Sequence, residues 1–182
     1  MKVALLRVPT VVDESASTAP ICPPIGLAYL KSIVNTFTKD IQVIDSVGNK
    51  PEFRTVDSEG QSYHLLGQTA EEIVNSLAST SDIIMISVMF SQDWPYSKEI
   101  IRGIKNKCPK AIIIAGGEHI TAIPEYCMES SEGQILSFTG SGVRQRGDAG
   151  FILQDVSRIS SNPGWHSPQF RSPSKNIFPV PG

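Results

Sequence analysis

The segment from Ala111 to Glu125, AIIIAGGEHITAIPE, most strongly constrains how this chain folds. It opens with five apolar residues, three of them isoleucine. An unbroken run of this kind is typical of a strand that is buried on both faces of a parallel sheet. Gly116 and Gly117 follow directly, so two side chains are missing at the carboxyl end of the strand and the backbone is free to turn sharply. The segment therefore predicts a ligand-binding loop between a strand and a helix.

Three more apolar runs precede this segment, and stretches with helical spacing separate the four runs. The predicted strands are Lys2–Val8, Ile41–Asp45, Asp82–Val88 and Ala111–Ala115, and the predicted helices begin near Ile25, Thr69, Tyr96 and Ile120. Such an alternation of strand and helix is typical of an α/β fold with a doubly wound parallel sheet. The run from Gln134 to Thr139 is a candidate for a fifth strand.

Two other segments carry specific expectations. The first helix is expected to bury one face, which is formed by Leu27, Leu30, Val34 and Phe37. The segment Ser46–Gln68 is polar and contains several glycines, so it is expected to form a long connection. Long connections in compact domains often serve as lids or binding loops.

The parallel sheet also predicts where a binding site lies. Right-handed crossovers would place the loops after the first, third and fourth strands on a single rim of the sheet. Those loops are Pro9–Thr10, Ser87–Phe90 and Gly116–His119. This rim, at the carboxyl ends of the strands, is therefore the expected ligand site.

Composition excludes several classes of function. A formal net charge of −2 argues against a nucleic-acid surface, which usually carries a basic excess. No apolar run approaches the roughly 18 residues that cross a bilayer. Arg7 and Pro9 interrupt the apolar stretch that a signal peptide would need, and the three cysteines are too scattered for a disulfide framework or a zinc site. We therefore expect a cytoplasmic protein that binds neither nucleic acid nor membrane.

The sequence pattern changes after Ser130. The segment Gly140–Gly150 has no apolar periodicity, and the chain from Ser160 onward consists largely of Ser, Pro, Asn and Gly. Such a composition buries too little apolar surface to order itself. We therefore expect one domain over residues 1–130 and an irregular, largely disordered C-terminal tail over residues 131–182.

Four motifs occur in a characteristic order within about residues 1–130. They are Pro23–Leu30 (PPIGLAYL), Ser87–Phe90 (SVMF), Trp94–Tyr96 (WPY) and Gly116–Glu125 (GGEHITAIPE). Together they resemble the N-terminal cobalamin (B12)-binding domain of cobalamin-dependent radical SAM enzymes. The resemblance implies a flavodoxin-like (Rossmann-like) doubly wound parallel sheet of the B12-binding type. It also implies that the corrin ring lies over the carboxyl edge of the sheet, with the nucleotide tail in a cleft beside the strands.

The resemblance places its cofactor, cobalamin, at the predicted rim. The glycine pair would leave room for the nucleotide tail, Ser87 and Thr121 would offer hydroxyl groups, and the residues after Ser87 would form an apolar wall. The residues expected to bind cobalamin are Pro9, Thr10, Ser87, Val88, Met89, Phe90, Gly116, Gly117, Glu118, His119 and Thr121. Ordinary packing at a strand end stays an alternative role for Ser87 and Met89.

The resemblance also suggests how the cobalt is held. Cobalamin domains of the mutase and methionine synthase kind use an Asp-x-His-x-x-Gly loop, whose histidine binds cobalt. None of the three histidines here has an aspartate two residues earlier. We therefore expect cobalt without a protein histidine beneath it, and we assign no residue as a metal ligand. His119 is either hydrogen-bonded to its loop or to a ligand amide, or a metal ligand. Glu118 either caps the following helix, is solvated, or acts as a general acid or base.

The catalytic part of a radical SAM enzyme is not found in the sequence. No Cys-x-x-x-Cys-x-x-Cys motif occurs, so no iron–sulfur cluster is expected in this chain, and the barrel that would follow is missing. We interpret the chain as a cobalamin-binding module that is truncated before the radical SAM domain, with no catalytic residues and no catalysis of its own. We hypothesise that the residues after about Glu132 come from a shifted reading frame or an alternative end.

Two other functions stay open. In the first, the chain is a flavodoxin-like regulatory or protein-interaction domain without a cofactor, and Met89, Phe90 and Trp94 contact a protein partner. In the second, the chain is a nucleotide-binding enzyme, although it has neither Gly-x-Gly-x-x-Gly after the first strand nor a P-loop. The sequence specifies neither the substrate of a parent enzyme nor an oligomeric state.

Overall fold

A parallel sheet forms the centre of the fold, as the alternation of apolar runs and helical segments predicts. The computed structural model describes residues 1–15 and 21–137. In chain order the strands are β1 Val3–Arg7, β2 Thr10–Val11, β3 Ile41–Asp45, β4 Phe53–Ser58, β5 Gln61–Leu66, β6 Ile83–Ser87, β7 Ile112–Gly116 and β8 Leu136–Ser137. The α-helices are α1 Ile25–Val34, α2 Ser46–Asn49, α3 Ala70–Ser76, α4 Trp94–Lys107, α5 Glu118–Ala122 and α6 Pro124–Ser130.

The central sheet has the order β3-β1-β6-β7-β8, and every neighbouring pair is parallel. This is the 2-1-3-4-5 strand order of the flavodoxin-like fold, so the predicted fold class is confirmed. The fifth strand, β8, pairs with β7 beyond residue 130, where the sequence placed the end of the domain. The remainder of the predicted C-terminal tail, from residue 138 onward, lies outside the described residues.

Apolar cores lie on both faces of the sheet. The larger core includes five buried residues of α4, and the smaller core lies beneath α1. Alternation along β1 supplies both, because Val3 and Leu5 belong to the smaller core whereas Ala4 and Leu6 belong to the larger one. No helix within the described ranges combines the length and the apolar character that crossing a membrane requires.

The first helix ends earlier than its apolar spacing predicts. Leu27 and Val34 are buried and Leu30 is partly buried, as expected. Phe37, however, is 42% exposed, so its assignment to the buried face is wrong. The α-helix ends at Val34 and the chain turns, so the helical spacing no longer directs Phe37 toward the sheet.

The segment Ser46–Gln68 is not the long connection that its polarity predicts. After the short helix α2, the strands β4 and β5 form a hairpin, and β5 also pairs with β2 to give a three-stranded antiparallel sheet. Glu59 and Gly60 join the two strands with φ angles of 50° and 77°, which is the backbone geometry of a two-residue type I′ turn. The prediction failed because polar residues interrupt the apolar ones in both strands, although Leu65 and Leu66 are buried, and only the turn glycine signals the hairpin.

Side chains on α3 and α4 fix this hairpin to the central domain. The rings of Tyr63 and Tyr96 are 5.1 Å apart, and the Tyr96 hydroxyl accepts a 2.8 Å hydrogen bond from the backbone N–H of Ala70. Glu72 forms a capping box with Thr69. It also forms ion pairs with Lys50, which precedes the hairpin, and with Arg54, which lies in β4. The hydrogen bond from Lys50, followed by the backbone N–H of Thr69 and the charge of Arg54, lowers the pKa of Glu72 to about 2.

Replacement of Glu72 by Gln tests this anchor. Because the pKa of Glu72 is lowered from 4.5, its stabilising contribution is present above pH 4.5 and is lost as the pH falls toward about 2. We expect Glu72→Gln to reduce the free energy of unfolding at neutral pH by about 1–2 kcal/mol and to flatten its pH dependence in that window, as measured by urea denaturation. Glu71→Gln, an exposed neighbour in the same helical turn, is the control. Equal effects of the two substitutions would contradict the anchor.

Candidate functional site

The three loops predicted to form a rim do lie side by side. Strands β1, β6 and β7 are neighbours, and in their register Arg7 is opposite Ser87, which is in turn opposite Gly116. On the other side of β1, Arg7 is opposite Asp45 at the end of β3. The backbone N–H of Val88 donates to the carbonyl of Gly116 over 2.8 Å, so the pairing continues one residue into the loop. The last residues of four adjacent strands are therefore in register and form one row, which consists of Asp45, Arg7, Ser87 and Gly116.

The side chains of this row share the face of the sheet that α1 covers. Side chains alternate along a strand, and Val3 and Leu5, which lie in phase with Arg7, pack in the core beneath α1. The same phase places Ser87 and the bare backbone of Gly116 on this face, above the partly buried Met85 and Ile112. The row thus presents a cation, a hydroxyl and an uncovered backbone beside α1.

Gly117 has a different physical role from the one its sequence position suggests. Its φ angle is +109°, and a Cβ atom built there would lie 2.2 Å from the carbonyl oxygen of Val88. The space beside Gly117 is therefore occupied by the backbone of the neighbouring loop. The expectation that this space admits a nucleotide tail is thus corrected, since the glycine is required by the close approach of two loops of the protein.

The apolar wall predicted after Ser87 divides between core and surface. Val88 is completely buried and belongs to the larger core, so its side chain does not face the rim. Met89 and Phe90 are 52% and 53% exposed. Two large neighbouring apolar side chains held in solvent are informative, because folding gains nothing from their exposure.

His119 is buried beneath the rim rather than displayed on it. Its Nδ1 atom forms a 2.9 Å hydrogen bond with the hydroxyl of Ser91, and its ring lies tilted against Trp94 with 5.5 Å between centroids. Within the part of the chain that the structure describes, the Nε2 atom is buried without a partner, and burial lowers the pKa of the ring. His119 therefore joins the loop after β7 to the loop after β6, so the described hydrogen bond of its ring is to the neighbouring loop and not to its own loop. Among the described residues, no group of three His, Cys, Asp or Glu side chains is arranged to hold a metal ion.

The other predicted site residues occupy varied positions. Glu118 is exposed at the start of α5, and Thr121 is partly exposed one turn later. Pro9 is buried next to Gly67, and Thr10 pairs with Leu66 in the small antiparallel sheet. The first rim loop is thus held by the hairpin.

Asp93 and Gln92 are site residues that the sequence did not reveal. The buried carboxylate of Asp93 accepts a 2.8 Å hydrogen bond from the backbone N–H of Val11, and the Gln92 amide donates to the carbonyl of Val11 over 2.7 Å. An aspartate directly before a helix usually caps that helix, whereas Asp93 makes no side-chain cap. Burial raises the pKa of Asp93 to about 6, although the N–H groups of Val11 and Phe90 oppose the shift. These two side chains join the first rim loop to the loop after β6.

The raised pKa of Asp93 predicts how stability changes with pH. The folded chain binds this proton more tightly than the unfolded chain, so the contribution is full below pH 3.8 and is lost as the pH rises through about 6. Asp93→Asn keeps an acceptor for Val11 and carries no charge. We expect its free energy of unfolding, relative to wild type, to be higher at pH 8 than at pH 4 by on the order of 2 kcal/mol in urea denaturation. An identical difference at both pH values would show that the buried charge has no cost.

Comparison with known families identifies the family of this chain. Residues 15–142 match a family model described as B12 binding domain. The match begins after the first rim loop and includes the loops that follow β6 and β7. No curated protein matches the chain. Since the matched residues make up more than half of the sequence, the chain belongs to the B12-binding domain family.

Proposed function

We propose that this chain is the cobalamin-binding module of a radical SAM methyltransferase-like protein. Membership of the B12-binding family implies a cobalamin-type cofactor. The observation that supports the site most strongly is the half-exposed pair Met89 and Phe90, which follows directly on the row of strand ends. In open α/β sheets this carboxyl edge is where ligands bind.

The residues present at the rim fit a corrinoid. A corrin ring offers a broad apolar face, which Met89 and Phe90 can cover, and its amide side chains need hydrogen-bonding groups. Ser87, Thr121 and Glu118 are at least partly exposed and supply such groups. The backbone at Gly116 and Gly117 and the loop at Pro9–Thr10 would complete the surface that holds the cofactor.

This chain would bind cobalamin without giving an imidazole to the cobalt. His119 is bonded to Ser91 and buried against Trp94. His64 is stacked on Phe53 and bonded to Thr55 within the hairpin. Both described histidines therefore have structural contacts within the fold, and we propose that neither of them is a cobalt ligand.

The radical SAM context rests on the motif resemblance. Bound cobalamin would supply the methyl-carrying cobalt chemistry, and this chain would supply binding and orientation. The sequence has no Cys-x-x-x-Cys-x-x-Cys for an iron–sulfur cluster. We therefore propose no catalysis by this chain alone.

The exposed pair also favours a second candidate, a flavodoxin-like interaction domain without a cofactor. In that case Met89 and Phe90 would contact a protein partner. Trp94, which the sequence placed on the same surface, is only 2% exposed and donates to the hydroxyl of Ser130 over 3.0 Å. A surface without this tryptophan is smaller and less suited to a protein interface than the sequence predicts.

Titration of the protein with hydroxocobalamin, followed by its absorbance spectrum, tests the proposed function. We expect wild type to bind and Phe90→Ser to weaken binding by about tenfold, because the ring would lose its contact with the corrin. Phe37→Ser is the matched control, since this exposed phenylalanine follows α1 at the opposite edge of the sheet. Absence of binding by wild type at excess ligand, or equal affinities for the two variants, would refute the proposal.

A further inference from the structure

Arg7 occupies the centre of the row of strand ends. It is the last residue of β1, and its neighbours in the row are Asp45 of β3 and Ser87 of β6. In a sheet of order 2-1-3-4-5 the connections leave in opposite directions on the two sides of the first strand. The gap between β1 and β6 is therefore the topological switch point, where open α/β sheets bind their ligands. Arg7 and Ser87 flank this gap.

The guanidinium of Arg7 is only partly used by the protein. Its Nη1 atom donates to the carbonyl of Cys22 over 2.9 Å and lies 3.4 Å from a carboxylate oxygen of Asp45. A guanidinium has five N–H donors. Within residues 1–15 and 21–137, the hydrogen bonds of this side chain involve Nη1 alone, so Nε and Nη2 keep their donors unused. The side chain of Arg7 is 22% exposed, which leaves these donors open to a ligand.

The surroundings of Arg7 suit an oxyanion. Arg7, Ser87 and Gly116 lie in phase on the face of the sheet beside α1, as the core positions of their strands require. A fixed guanidinium fork gives paired donors of the kind that bind phosphate, a hydroxyl adds one more, and a glycine lets the ligand approach the backbone. The 3.4 Å contact between Nη1 and the Asp45 carboxylate positions the arginine and does not occupy the donors on Nε and Nη2.

We propose that Arg7 binds the phosphodiester of the nucleotide loop of the corrinoid. This inference rests on the proposed function and assigns a specificity to the same site. The amide side chains of a corrinoid are uncharged, so the phosphodiester is the group for which a cation is selective. Arg7 would thus make the module prefer a complete cobalamin over a corrinoid that lacks the nucleotide loop.

A comparison of two ligands tests this assignment in the full chain. Aquacobalamin has the nucleotide loop, and aquacobinamide has the same corrin ring without it. We expect wild type to bind aquacobalamin more tightly than aquacobinamide. Arg7→Met should weaken the binding of aquacobalamin by about tenfold or more and leave the affinity for aquacobinamide almost unchanged. Arg7→Lys, which keeps the charge but loses the fork, should show a smaller loss for aquacobalamin alone. Arg102→Met, which removes an exposed arginine paired with Glu59 on the hairpin, should change neither affinity.

The outcomes separate the inference from the proposed function. Failure of wild type to bind either ligand would reject the cobalamin site as a whole. Binding of both ligands by wild type, with equal weakening of both in Arg7→Met, would show that Arg7 only ties the strand end to Cys22 and Asp45, and it would overturn the inference alone. An affinity of Arg7→Met for aquacobalamin equal to that of wild type would overturn the inference as well. If Arg7→Met does not fold, Arg7→Lys decides by the same comparison, since only a loss confined to aquacobalamin supports the phosphodiester contact.

Discussion

The rim depends on the close contact between two backbones, at Val88 in the loop after β6 and at Gly117 in the loop after β7. The N–H of Val88 is bonded to the Gly116 carbonyl, and the missing side chain of Gly117 lets the Val88 carbonyl approach it. This contact fixes where both loops turn. The Val88 side chain enters the core, and Met89 and Phe90 are thereby turned to solvent. The surface proposed for the cofactor is thus a consequence of backbone packing.

A set of buried polar contacts then ties the remaining parts of the rim to this pair of loops. His119 reaches Ser91 from the loop after β7, while Asp93 and Gln92 hold Val11 of the first loop. A buried carboxylate and a buried imidazole are unfavourable for folding, and burial shifts the pKa of each toward its neutral form. The fold therefore accepts a cost in stability at the place where its loops must be held in one arrangement.

The sequence predicted the elements whose stability comes from apolar burial and failed where polar contacts decide. Strands β1, β6 and β7 were recognisable because each begins with four consecutive apolar residues, and right-handed crossovers then brought their loops together. The hairpin was missed because polar residues interrupt the apolar ones in both of its strands. Asp93 was missed because its partner, Val11, is 82 residues away in the chain. Gly117 was recognised as essential, but a sequence does not reveal which backbone approaches a glycine.

Hydrogen exchange with and without hydroxocobalamin tests the central claim, that the rim is one preformed cofactor-binding surface. Peptides that contain Ser87–Asp93 and Gly116–Thr121 should exchange more slowly in the presence of the cofactor, together with those around Val8–Val11. The hairpin turn at Glu59–Gly60 should exchange at the same rate in both states, because it lies away from the strand ends. Protection of the hairpin turn without protection of the rim, or no protection at all, would contradict the assignment.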